Sequence, residues 1–392
     1  METDRPYGAA PMLISTTNHQ RARRTRLVTR ASAAIVALGM IAAACGGDDD
    51  DDAGSATTEA AAATTPAGTD AGADPTTAGT DAGGTTPAAS GDAPKLAVVY
   101  SADWQDGSWG EFAYDGANEL QAEGVVSEVS LQDNVQPGAD AQNAMRALAD
   151  DGFNPIIAHS FNYGDDVKAV AADYPDTLFI YAGGFGDVAG NVGDYSQPFW
   201  EPAYLEGILA AGAVEGSVAG AGGFDIPVCR AMKNAFLAGA QEIDPDTTGE
   251  FVAVGDWYDV QLAKEAAVAQ GDAGARRYIG CGQGPTFGQI EAANENGGVS
   301  MGYVGDMSDV GPSVLASFTW NLKAVFQLMV EDVVAGATEA QYYEVLLKDG
   351  GMEVVINPAW EDKISADAMA KYEEQLAAIN DGSFEVPYDD QS

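Results

Sequence analysis

Few residues in this chain could carry out covalent chemistry. Gly298-Val299-Ser300-Met301-Gly302 matches a Gly-x-Ser-x-Gly nucleophile pattern. That pattern needs a strand–turn–helix setting and a later histidine. Ser300 lies inside a strand pattern, and no histidine follows it. The histidines are His19 and His159, and beyond Cys45 the only cysteines are Cys229 and Cys281. One His and one Cys pair past residue 45 give no metal-ligand set. The glycine-rich stretches at 220–223 and 280–284 do not complete a dinucleotide fingerprint, and close backbone approach accounts for them. Catalysis, a cofactor and a metal are therefore not expected, which leaves recognition. Trp109 stands just past an apolar run, 96–100, at the start of a helical pattern. In doubly wound α/β folds ligands collect at that place. By position alone Trp109 either stacks on a ligand or packs into the domain. Trp257 also lies just beyond a strand pattern, and on its own would read as core.

The elements that must position these rings alternate strand and helix from Lys95 onward. Strands are expected near 96–100, 127–131, 155–159, 178–181 and 190–195, with helices near 109–123, 140–150 and 163–173 between them. After a helix near 202–214 the pattern restarts. It gives strands near 217–222, 250–255, 278–281, 299–304 and 314–319, with helices near 227–243, 259–270 and 286–296. An apolar helix at 322–334, a short β segment at 353–356 and an acidic helix at 366–380 close the chain. The expected fold class is α/β, with two doubly wound parallel-sheet lobes joined by a multi-strand hinge. Residues 94–195 with 320–337 form the first lobe, and 196–319 with 338–392 the second. Such lobes close on a small solute in the cleft between them. Cys229 and Cys281 fall just past the first and third strands of the second lobe, neighbours in a sheet ordered 2-1-3. A disulfide is expected there, two buried thiols being the alternative.

The two ends of the chain differ. Residues 21–30 carry five arginines, and a short apolar run, 31–44, stops at Cys45. A basic region, a short apolar region and small residues before a cleavage point make a secretory signal. The small residues before Cys45 resemble a bacterial lipoprotein signal, which implies lipid on Cys45. Residues 46–93 contain no Lys or Arg, and their Ala, Thr, Gly, Asp and Pro cannot build a core, so 45–93 is expected to be a disordered acidic tether. The whole chain carries a formal charge of −42. Loss of residues 1–44, with six Arg and two acids, makes it more acidic still. Such a surface repels nucleic-acid phosphates and anionic lipid, so a lipid anchor must hold it to a membrane.

From residue 95 to about 360 several blocks resemble, in order, the basic membrane protein (purine nucleoside receptor) family. These are solute-binding lipoproteins of ABC importers with a type I periplasmic-binding fold. The blocks are Asp106-Gly107-Ser108-Trp109, the stretch 170–176, Ile226-Pro227, Trp257-Tyr258-Asp259 with Ala263-Lys264-Glu265-Ala266, and Gly302 to Asp306 followed by Ser317. The resemblance implies that Trp109 and Trp257, one from each lobe, clamp a purine ring. It places Asp106, Asp259 and Asp306 in site blocks. Phe161 and Tyr163, past the third strand, are expected to line the cleft, with hinge packing as the alternative. Trp320 stands where nucleoside binders of the family carry Lys, and Asn321 could present donor and acceptor to a purine edge. Val304 replaces the aspartate that commonly holds ligand hydroxyls in the family, which shifts the expectation from a ribonucleoside toward a free base or a flavin. The expected partners are a small purine-like heterocycle, ABC permease subunits and, through the lipid, the membrane. Nucleic acid is excluded and a monomer is expected. A ligand-sensing receptor for a membrane signalling protein, or a sugar binder, is the alternative reading.

Overall fold

The computed structural model describes residues 93–391; the expected signal, Cys45 and most of the tether lie outside the described residues. The first strand, β1 (Lys95–Val99), shows why the sheet forms. Leu96 and Val98 point into one apolar cluster and Ala97 and Val99 into another, all fully buried. A strand covered on both faces reads as a continuous apolar run, as this one does. Next come α1 (Trp109–Ala122), β2 (Glu128–Gln132), α2 (Ala139–Asp150), β3 (Ile156–Ala158), α3 (Gly164–Ala171), β4 (Phe179–Tyr181) and β5 (Val192–Tyr195). The second lobe runs through α4 (Trp200–Ala213), β6 (Ser217–Gly222), α5 (Pro227–Gln241), β7 (Gly249–Ala253) and α6 (Val260–Asp272). It continues with β8 (Ala275–Cys281), α7 (Gln283–Asn296), β9 (Val299–Gly302) and β10 (Val314–Trp320). The chain ends through α8 (Leu322–Val334), β11 (Tyr342–Tyr343), β12 (Met352–Ile356) and α9 (Ala366–Asn380).

Two six-stranded sheets result, ordered β11-β5-β4-β3-β1-β2 and β12-β10-β9-β8-β6-β7. All pairs are parallel except β10 with β12. This is the two-lobed α/β fold that the strand–helix alternation predicts. Two details differ from the sequence expectation. The sequence expectation places 338–392 in the second lobe, yet Tyr342 and Tyr343 pair with Asp194 and Tyr195 of β5, at the edge of the first sheet. A strand of two residues has no period to reveal it. The strand expected at 299–304 stops at Gly302, because the chain turns there: Val304 has φ 49 and the Gly305 amide bonds to the Phe318 carbonyl.

The chain passes between the sheets three times, after β5, after β10 and between β11 and β12. These passages brace one another. The Asn321 amide bonds to the Gly351 carbonyl at 2.8 Å, and the Leu347 amide to a Glu201 carboxylate oxygen at 2.7 Å. Among the described residues no helix is long and apolar enough to cross a membrane.

Candidate functional site

Between the lobes lies a slot of about 510 Å³, a volume that includes its mouth. The first lobe supplies Tyr100, Trp109, Ser160 and Phe161, all beyond the carboxyl ends of β1 and β3 or at the start of α1. The second supplies Ile226, Trp257, Tyr258, Cys281, Gly282, Gln283 and Tyr303, and Gln197 comes from the first passage between lobes. None of these described lining residues carries a formal charge. Aromatic walls with a few amides and hydroxyls are the usual lining of a small-molecule site.

Trp109 is held from behind. Its ring stacks on His159 with centroids 4.7 Å apart at 21°, and Trp320 lies 5.1 Å away. His159 is fully buried, and burial pushes its pKa down to about 3. Its Nε2 lies 2.9 Å from the Trp109 carbonyl, which can only accept, so Nε2 carries the proton and Nδ1 accepts from the Tyr195 hydroxyl. In return the Trp109 indole Nε1 donates to the His159 carbonyl at 3.4 Å.

Trp257 rests on bare backbone. A methyl group on Gly223 would stand 2.5 Å from its Cδ2, and one on Gly282 would stand 2.7 Å from its Cε3. The Trp257 carbonyl accepts from the Gly284 amide at 2.7 Å. Beside it, Cys229 and Cys281 form a disulfide with Cα atoms 5.4 Å apart. They join the first turn of α5 to the end of β8, and β6 and β8 are neighbours in the sheet.

Among the described residues, three hydrogen bonds cross the cleft. The Ser101 hydroxyl meets the Tyr258 hydroxyl at 3.1 Å, the Ser108 hydroxyl donates to the Tyr303 carbonyl at 2.7 Å, and Gln283 Nε2 donates to the Asp106 carbonyl at 2.6 Å. The lobes therefore meet in a closed arrangement. Burial raises the hydroxyl pKa of Tyr100 and Tyr303, and nearby Tyr258 and Asp106 add to it, so both stay neutral.

The other residues singled out from sequence do not line the slot. The Asp106 carboxylate accepts from the Tyr100 hydroxyl and from the amides of Ser108, Gly110 and Glu111, which fastens the start of α1. Asp259 caps α6 through the Leu262 amide, and Asn321 caps α8 through the Ala324 amide. An Asp or Asn just before a helical run is itself an N-cap signal. Asp306 is exposed and bonds to Ser308. Tyr163 is buried with its hydroxyl on the Val135 carbonyl, and Trp320 is buried behind Trp109. Of the residues proposed from sequence, Trp109, Phe161 and Trp257 meet in the slot. Sequence reasoning passed over Tyr100, Gln197, Tyr258, Gln283 and Tyr303; Tyr258 was signalled only by its place beside Trp257. Ser300 is buried in β9 with its hydroxyl on that of Ser313, 2.9 Å away. Among the described residues no group of three His, Cys, Asp or Glu could hold a metal ion.

Two parallel-sheet lobes, three connecting passages and an aromatic slot between strand ends define a two-lobed solute-binding fold. Residues 93–388 match the family described as ABC transporter substrate-binding protein PnrA-like, and the chain belongs to this family. It is 30% identical over 222 residues to a purine-binding protein of Brucella abortus (strain 2308), a match covering 56% of this chain and 62% of that one. It is also 30% identical over 299 residues to a Haloferax volcanii protein named for glucose binding and ABC transport, covering 74% and 73%. A solved ABC transporter solute-binding protein from Aeropyrum pernix K1 shares the fold, with TM-score 0.63, 21% identity and coverage of 76% and 94%.

Proposed function

We propose that this chain is a lipid-anchored, extracytoplasmic receptor that binds a flat, purine-like heterocycle between its lobes and presents it to an ABC permease. The observation that carries this reading is that Trp109 and Trp257, one from each lobe, line the same uncharged slot. Indole faces suit a planar ring, each base–aromatic stack contributing roughly 1–3 kcal/mol. The name of the Brucella relative points the same way. Closure around the ligand produces the shape that a permease recognises, and lipid on Cys45 keeps the receptor near it. The test is calorimetric titration of the mature protein with adenine, adenosine, riboflavin and glucose. Binding of a heterocycle that is weakened at least ~10-fold, as loss of one stack requires, in both Trp109→Ala and Trp257→Ala supports the reading.

A second reading, a sugar ligand, is favoured by the name of the Haloferax relative, because pyranose faces also stack on aromatic rings. Binding of glucose with no response to any heterocycle would replace the first reading with this one.

A further inference from the structure

We propose that the Cys229–Cys281 disulfide belongs to the binding machinery, as the brace that fixes the glycine floor under Trp257. The indole lies on Gly223 and Gly282, which have no side chains to hold them in place. Gly223 follows β6 and Gly282 follows β8, and the last ladder pair of these strands is Gly222 with Cys281. Beyond that pair the strand ends are joined by the 3.3 Å bond from the Gly223 amide to the Cys281 carbonyl, and by the disulfide through α5. The disulfide packs on the residue next to the floor: a methyl on Gly222, which precedes Gly223, would stand 3.3 Å from both Cβ and Sγ of Cys229. Cys281 itself lines the slot. Cys229 and Cys281 are thus positioning residues, setting where one aromatic wall stands.

A dithiol reductant opens the brace. One of its thiolates attacks a cysteine sulfur, and its second thiol then displaces the mixed disulfide. Two electrons and two protons pass to the protein, which leaves two cysteine thiols and a cyclic disulfide. The floor glycines are then tied only by hydrogen bonds, the Gly223 carbonyl to the Gly255 amide and the Gly282 carbonyl to the Thr286 amide and hydroxyl, and the indole above them gains freedom.

The experiment uses protein labelled with 5-fluorotryptophan, with the Trp257 and Trp109 fluorine signals assigned from Trp257→Phe and Trp109→Phe. Reduction by dithiothreitol, or the Cys229→Ser/Cys281→Ser double variant, is expected to shift or broaden the Trp257 signal and leave Trp109 in place. An unmoved Trp257 signal overturns the proposal. Collapse of all indole signals together also overturns it, because the bond would then hold the whole lobe and not this wall. A second measurement rests on the heterocycle reading above. Loss of the disulfide should weaken adenine binding ~10-fold in the parent protein and less than ~2-fold in Trp257→Ala, the signature of two coupled sites. Equal weakening in both backgrounds overturns the positioning role. If neither adenine, adenosine nor riboflavin binds the oxidised protein, the heterocycle reading fails, and the fluorine spectra still decide this one.

Discussion

Trp109 and His159 hold each other in place: their rings stack at 4.7 Å, and each side chain hydrogen-bonds to the other's backbone carbonyl. A ligand-facing indole is thus set by a histidine that lies behind it, fully buried. Burial keeps that imidazole neutral, with its pKa down from 6.5 to about 3. The unfolded chain takes up a proton near pH 6.5 and the folded chain does not. The stability from this site is therefore complete above about 6.5 and is lost as pH falls toward 3, by up to about 1.4 kcal/mol per pH unit. Urea denaturation at pH 7 and pH 5 should show a clear loss in the parent protein and a smaller one in His159→Gln. Matching losses would remove the assignment.

Gly223→Ala should damage binding more than folding. The added methyl meets the Trp257 indole, so the ring must move. We expect at least ~10-fold weaker binding of a planar ligand, with a melting temperature lowered by only about 2–5 °C, since overpacking at a displaceable ring costs about 1–3 kcal/mol. Calorimetry and thermal melts on the same preparation separate the two effects.

Tyr258→Phe removes the hydroxyl that meets Ser101 across the cleft. One hydrogen bond contributes about 0.5–1.5 kcal/mol, so ligand release should quicken by roughly 2–10-fold. Stopped-flow release measurements would show it, and an unchanged off-rate would mean that closure does not depend on this contact.

Asn321→Ala tests a residue that the sequence put in the site and the structure uses elsewhere. Its side chain caps α8 and also donates to the Gly350 carbonyl at 3.2 Å. Losing the cap should cost about 1 kcal/mol of stability and leave ligand affinity unchanged. A large affinity loss at constant stability would return Asn321 to the cleft.

The sheets were legible because parallel strands covered on both faces are short apolar runs, and β1 and β3 are of that kind. The same regularity placed Cys229 beside Cys281, since neighbouring strands end at the same edge. The site was legible where a residue's type has few uses, as with two tryptophans past strand ends. It was not legible for Asp106, Asp259 and Asn321, whose polar side chains serve helix starts, nor for Tyr100 and Tyr303. Those two sit at strand ends where core and cleft residues share one composition, and only the approach of the other lobe distinguishes them.

The triple linkage of the lobes has a further consequence. A protease nick in any single passage would leave the halves tied by the other two, so the cut receptor should migrate as one species until denatured. The same redundancy opposes free swivelling and exchange of a lobe between molecules, which leaves hinge bending about the linked passages as the accessible motion.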